Sequence, residues 1–193
     1  MKLYFAPRTR SVRPRWMLEE LGIAYELVRL DVSKGETSAP EYLALHPLGA
    51  VPVLVDGDLT LRESAAICLY LADRFPEQQL APPPGAPERG AYYGWLLFAE
   101  GSVESAVLAF YGTSHPPEVQ ATHRDRLQRV LGVVDAALEG REVLVGERFS
   151  AADVVMASIL HLAHQLQLLE GHPRLLDYVR RHTMRPAVRR AVS

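Results

Sequence analysis

The stretch His46-Pro47-Leu48-Gly49-Ala50-Val51-Pro52-Val53-Leu54-Val55-Asp56-Gly57-Asp58-Leu59-Thr60-Leu61-Arg62-Glu63-Ser64-Ala65-Ala66-Ile67 decides the fold. Two short apolar runs, Pro52 to Val55 and Leu59 to Leu61, flank Asp56-Gly57-Asp58, and a turn of that chemistry between apolar runs reads as a β-hairpin. Apolar side chains then recur at positions 66, 67, 69, 70 and 71. That is helical spacing, so Glu63 to Phe75 is predicted to be a helix.

Upstream, strand and helix signals alternate. Lys2 to Phe5 is short, apolar and aromatic and runs out at Pro7, as a buried strand does. Ser11 to Leu21 reads as a helix, with Ser11 as its N-cap, Pro14 in the first turn and Gly22 as its stop. Tyr25 to Leu30 is a second strand, and Pro40 to Leu45 is a short helix ended by His46-Pro47-Leu48-Gly49. The order is β-α-β-α-β-β-α. Strands joined through a helix should be parallel with a right-handed crossover, and the last pair should be antiparallel.

Downstream, Pro76 to Glu88 holds five of the 14 prolines and reads as a semi-rigid linker. Strand signals then vanish. Arg89 to Tyr111, Pro117 to Leu138, Ala151 to Leu169 and Pro173 to Val192 are predicted helices, the last broken before Pro186. The expectation is an α/β domain over 1–76, a linker over 77–88 and an all-α bundle over 89–193. Phe149-Ser150-Ala151-Ala152-Asp153-Val154 is a capping box with its hydrophobic staple, with Asp153 reaching back to Ser150 as a shorter stand-in for the usual Glu. A helix start is sufficient reason for it.

The whole chain has 193 residues, 21 Lys+Arg and 23 Asp+Glu, for a net charge of −2. That balance argues against nucleic acid as the main partner. Apolar stretches fall short of the ~20 residues of a membrane span, and Met1 to Arg8 lacks the apolar core of a signal peptide. Cys68 is the only cysteine, which excludes an intramolecular disulfide and any Cys-x-x-Cys pair, so a cytoplasmic setting is expected. Cys68 itself reads as a small buried hydrophobe. His161 and His164 lie three apart on a helix but have no third ligand nearby, so no metal site is expected.

Three positions carry chemistry. A cis Val51–Pro52 bond would turn the chain sharply before a central strand and leave the Val51 backbone groups able to pair with an extended peptide, although X–Pro bonds are trans by default. Glu63 and Ser64 open a helix, where a hydroxyl and free N–H groups attract a carboxylate and an exposed Glu accepts from an ammonium. Together they match the head of an α-amino acid, although helix starts favour such residues in any case. Arg8-Thr9-Arg10-Ser11 lies at the start of the first helix, with Arg13 and Arg15 beyond it, within reach of a ligand carboxylate or of solvent.

In combination these residues resemble the cytosolic glutathione transferases, the bacterial and fungal members most of all. The likeness rests on Pro7 to Val12, Trp16 to Gly22, Ala50 to Leu54, the Glu63-Ser64 pair, the proline-rich linker and the Ser150 to Asp153 box, and it spans essentially the whole chain. It implies a thioredoxin-like N-terminal domain followed by a helical bundle, glutathione as co-substrate, no metal, a homodimer and a role in detoxification. By the same resemblance, the cysteinyl backbone of glutathione would pair with Val51 beside cis Pro52. The γ-glutamyl carboxylate and amine would lie on Ser64 and Glu63, and Tyr111 would line the pocket for a hydrophobic electrophile.

The reaction needs a thiolate near neutral pH from a thiol of ordinary pKa about 8.5, and two units of depression correspond to roughly 2.7 kcal/mol. The family's activating residue is a Tyr, Ser or Cys in the first loop. Here that loop departs from the pattern and offers Ser11, Thr9 and Arg10, with Ser11 foremost and its role as a helix cap the competing reading. Ala50 stands where many relatives carry Lys or Gln, which would weaken glutathione binding. The alternatives to conjugation are a non-catalytic ligand carrier or scaffold on the same fold, or a glutathione-dependent peroxidase or isomerase. A glutaredoxin-type reductase is disfavoured, since Arg8 to Ser11 has no cysteine.

Overall fold

In the computed structural model, which describes residues 1–112 and 114–193, the strands β1 (Lys2–Phe5), β2 (Glu26–Arg29), β3 (Val53–Asp56) and β4 (Leu59–Leu61) form one sheet in the order β2-β1-β3-β4. β1 and β2 run parallel, as their helical crossover requires, while β3 is antiparallel to both β1 and β4. Side chains alternate along β1, so Leu3 and Phe5 are buried and Lys2 and Tyr4 remain partly exposed. The core of this layer joins Leu3 and Phe5 to Trp16 and Leu18 of α1 (Val12–Leu21) and to Ile67 and Leu71 of α3 (Ser64–Arg74). Each such side chain contributes roughly 1.5–3 kcal/mol when fully buried. The short helix α2 (Pro40–Leu45) starts on a proline, where the missing N–H costs little.

α1 ends as its sequence says it should, with Gly22 in the left-handed region at φ 66° and its N–H on the Leu18 carbonyl. Its beginning differs from expectation. Ser11 has helical backbone angles, φ −64° and ψ −14°, and makes no side-chain cap. Its hydroxyl turns back into the preceding loop instead.

The chain divides into two compact units, one of Met1–Gln78 with Arg185–Ser193 and the other of Gln79–Met184. The segment 185–193, grouped with the other helices when read from sequence, thus belongs with the sheet. It carries α9 (Pro186–Val192), which packs on α1. Arg185 grips both carboxylate oxygens of Glu20 at 2.6 and 2.8 Å, and Arg190 Nε donates to Glu19 at 2.7 Å. Partners more than 160 residues apart leave no periodicity to read.

The second unit is helical: α4 (Arg89–Phe98), a π-helical turn (Ala99–Glu104), α5 (Ser105–Leu108), α6 (Pro117–Ala137), α7 (Ala151–Gln165) and α8 (Pro173–Thr183). The proline-rich stretch is tied to it, since the Leu80 carbonyl accepts from Ala151 N at 2.9 Å and Pro82 O accepts from Arg89 at 2.6 Å. At the start of α7 the Ser150 N–H donates to Asp153 Oδ2 at 2.9 Å, the back-reaching arm of the capping box, and Ser150 Oγ donates to the same oxygen at 3.1 Å. Asp153 also accepts from Leu144 N at 2.9 Å and from the Tyr178 hydroxyl at 2.8 Å. Burial raises its carboxyl above the ordinary value in spite of these donors.

Candidate functional site

Antiparallel pairing brings three segments out at one end of the sheet. β1 and β3 pair Tyr4 with Val53, so continuing that register places Ala6 opposite Val51. β3 and β4 pair Leu54 with Leu61, so Glu63 emerges beside Pro52. The start of α3 is then tied to α1, where Arg13 Nη1 donates to Ser64 Oγ at 3.2 Å. Val51, Glu63, Ser64 and the loop from Ala6 to Ser11 therefore share one edge of the first unit.

The Val51–Pro52 bond is cis. Pro52 is buried and lies just ahead of β3, outside the ladder, where its lack of an N–H is harmless. Val51 is half-buried, and among the described residues its backbone has no backbone hydrogen-bond partner. The loop before it is held from behind. Tyr42 of α2 donates its hydroxyl to Ala50 O at 2.6 Å, Gly49 N donates to His46 O at 2.8 Å, and Arg62 Nε donates to Leu45 O at 2.6 Å. Burial, with Tyr4 beside it, pushes the Tyr42 phenol up to about 12, so it remains a donor throughout the physiological range. Tyr42 and Arg62 were not singled out from sequence, because their role depends on where a distant carbonyl lies.

Glu63 is exposed, and among the described residues its side chain has no hydrogen-bond or ion-pair partner. Its backbone sits at φ 67° and ψ 117°, unusual for a residue with a Cβ, and its carbonyl accepts from Ile67 N at 2.9 Å. Ser64 follows as the first residue of α3, buried, with its hydroxyl oxygen toward Arg13.

The three residues expected to activate a thiol are placed very differently. Ser11 is 0% exposed. Its Oγ accepts from Ala6 N at 3.1 Å and lies 2.8 Å from Ala6 O and 2.7 Å from Thr9 Oγ1. Thr9 Oγ1 in turn is 2.7 Å from Ala6 O and accepts from Ser11 N at 3.2 Å. The two hydroxyl protons serve the contacts among these three oxygens, so Thr9 and Ser11 close the loop on itself. Arg10 is exposed, as is Arg8, whose φ is 59°.

Tyr111 lies in the other unit, 57% exposed, just after α5. Cys68 is buried in α3, and His161 is engaged with Gln165. Among the described residues no group of three or more His, Cys, Asp or Glu is disposed to hold a metal ion, and no helix is long and apolar enough to cross a membrane.

Residues 1–73 match the family model described as glutathione S-transferase, N-terminal domain, and residues 100–186 match the glutathione S-transferase, C-terminal domain. The chain is 31% identical over 196 residues to glutathione S-transferase GstA of Escherichia coli O157:H7, covering 100% of this chain and 98% of that protein. Among solved structures it is similar to a glutathione transferase from Methylococcus capsulatus, with TM-score 0.89 and 33% identity over 99% of this chain and 96% of the other. It is also similar to a sphingomonad glutathione S-transferase complexed with glutathione, with TM-score 0.88 and 30% identity over 100% and 97% of the two chains.

Proposed function

The chain belongs to the glutathione S-transferase family, and from that membership we propose that it conjugates the thiolate of glutathione to small hydrophobic electrophiles, using the end of the sheet at Val51 as its tripeptide site. The observation that carries this reading is the convergence at that end of the sheet of a Val51 backbone without a backbone partner among the described residues, the exposed carboxylate of Glu63 and the hydroxyl of Ser64. An extended peptide would add to Val51 as a strand adds to a sheet, with its amino-acid head between Glu63 and Ser64. Its central cysteine would then lie against the Ala6–Ser11 loop.

In that loop the thiolate is stabilised by Arg10. Thr9 and Ser11 spend their hydroxyl protons on each other and on Ala6 O, so their part is to hold the loop in shape. A guanidinium beside sulfur favours the ionised form, and the start of α1 adds a partial positive charge. Tyr111 would contribute to the electrophile pocket. A homodimer belongs to the same proposal, with the exposed Tyr93 and Leu97 of α4 as apolar surface for a second copy, and so does a cytoplasmic setting.

The test is ultraviolet absorbance of bound thiolate on mixing with glutathione, read beside turnover of an aryl halide. The wild type should show the thiolate band at neutral pH. Arg10→Ala should shift its midpoint up by about one unit, a loss of about 1.4 kcal/mol of thiolate stabilisation. Glutathione binding with no thiolate and no turnover would favour the carrier reading.

A further inference from the structure

Arg8 occupies a conformation that suits glycine. Its φ of 59° lies in the left-handed region, which costs a residue with a Cβ roughly 1–2 kcal/mol. The non-glycine residues with positive φ among those described are Arg8, Glu63, Gln79 and Gln167. Two of these four, Arg8 and Glu63, stand at the same end of the sheet, and strained backbone collects where a side chain must be aimed. The Arg8 side chain is exposed and has no hydrogen-bond or ion-pair partner among the described residues. The segment Pro7 to Leu18 carries four arginines and no carboxylate. Around Arg8 the loop is locked by the Thr9–Ser11–Ala6 contacts, so the guanidinium stands on a rigid base, two residues beyond the Ala6 that faces Val51.

We infer that Arg8 selects the second substrate, making the enzyme favour electrophiles that carry a carboxylate or sulfonate over neutral ones of the same shape. This rests on the tripeptide site at Val51, because the sulfur held there brings the attacked carbon within reach of the loop. A guanidinium recognises a carboxylate or sulfonate through paired N–H donors as well as charge. The bond chemistry is unchanged: the glutathione thiolate attacks the ring carbon, the C–S bond forms, and the halide leaves with the bonding electron pair. Arg8 touches the anionic substituent and not the reacting atoms.

The experiment compares kcat/KM for 4-chloro-3,5-dinitrobenzoate and for its methyl ester, which keeps the ring, both nitro groups and the leaving chloride and removes only the charge. Arg8→Gly relieves the left-handed backbone and should keep the fold, as thermal unfolding would verify. The ratio of the anionic to the neutral substrate should fall about tenfold in Arg8→Gly, equivalent to about 1.4 kcal/mol, and further in Arg8→Glu. Added salt should lower that ratio in the wild type and leave it flat in Arg8→Gly. If both substrates are conjugated and the ratio is the same in all three proteins, the selection by Arg8 is refuted and the transferase reading stands. A fall in both substrates alike, with a raised KM for glutathione, would place Arg8 on the tripeptide instead and equally overturn the inference. Conjugation of neither substrate by the wild type would sink the underlying function.

Discussion

Gly49 has φ 59°, and a Cβ built on it would come within 2.7 Å of the Thr37 carbonyl oxygen. A backbone oxygen at that distance cannot give way cheaply, so Gly49→Ala must displace the loop that presents Val51 two residues on. The expected result is a loss of roughly 1–3 kcal/mol of stability, with a several-fold rise in the Kd for glutathione by calorimetry. Unaltered binding would show that the loop does not position the tripeptide. Nothing in the sequence around Gly49 announces this, because the clash is with a residue in another turn. That Glu63 and Ser64 stand at the start of α3 was legible for the opposite reason. A hydroxyl and a carboxylate at a helix start act through the helix's own termini, which depend only on local order. Ser11 lies between these cases: a serine at a helix start has the same signature whether its hydroxyl caps the helix or, as here, turns back to Ala6.

The start of α7 was readable because a capping box is a relation between residues three apart. Its remaining bonds were not, since Leu144 N and the Tyr178 hydroxyl reach Asp153 from elsewhere in the helical unit. Asp153→Ala strands three buried donors, Leu144 N, Ser150 N and the Tyr178 hydroxyl, each worth about 1–3 kcal/mol when left unsatisfied. The expected loss is at least about 3 kcal/mol, seen as a fall in Tm of roughly 10 °C. A shift of a degree or two would mean that solvent replaces the carboxylate, contrary to the burial of this site. The helix from Arg89 was expected to run unbroken to Tyr111. Instead it widens into a π-turn over Ala99–Glu104, and the helical run ends at Leu108. Ser105 bonds back to Gly101 O at 2.8 Å and to Ser102 O at 3.1 Å, competing with the backbone ladder just there. Apolar periodicity registers that a helix exists, not that one turn holds an extra residue.

At the scale of the whole chain, the first unit is completed by its last residues, and that closure is held by charge. Burial pushes the Glu20 carboxyl up, but hydrogen bonds from Arg185 and Trp16 more than offset this and leave it below the ordinary carboxylate value. Glu19 behaves alike, with Tyr25 and Arg190 as its donors outweighing its desolvation. Carboxyls with folded-state values below their unfolded ones stabilise the fold fully above the unfolded value, and that contribution is lost as pH falls through the folded one. The stability of the α1–α9 contact should therefore be flat at neutral pH and decline only as the solution becomes more acid than about pH 4. Hydrogen exchange would show it as protection of residues 185–193 that disappears on acidification ahead of protection in β1 and β3. Glu20→Gln should weaken that protection at neutral pH and remove much of its acid dependence, because the neutral amide keeps a hydrogen bond but no charge for Arg185. Protection of α9 that persists unchanged to pH 3, or that fails together with the central strands, would show that apolar contacts such as the buried Ala187 and Ala191, and not the two carboxylates, hold the chain's end in place.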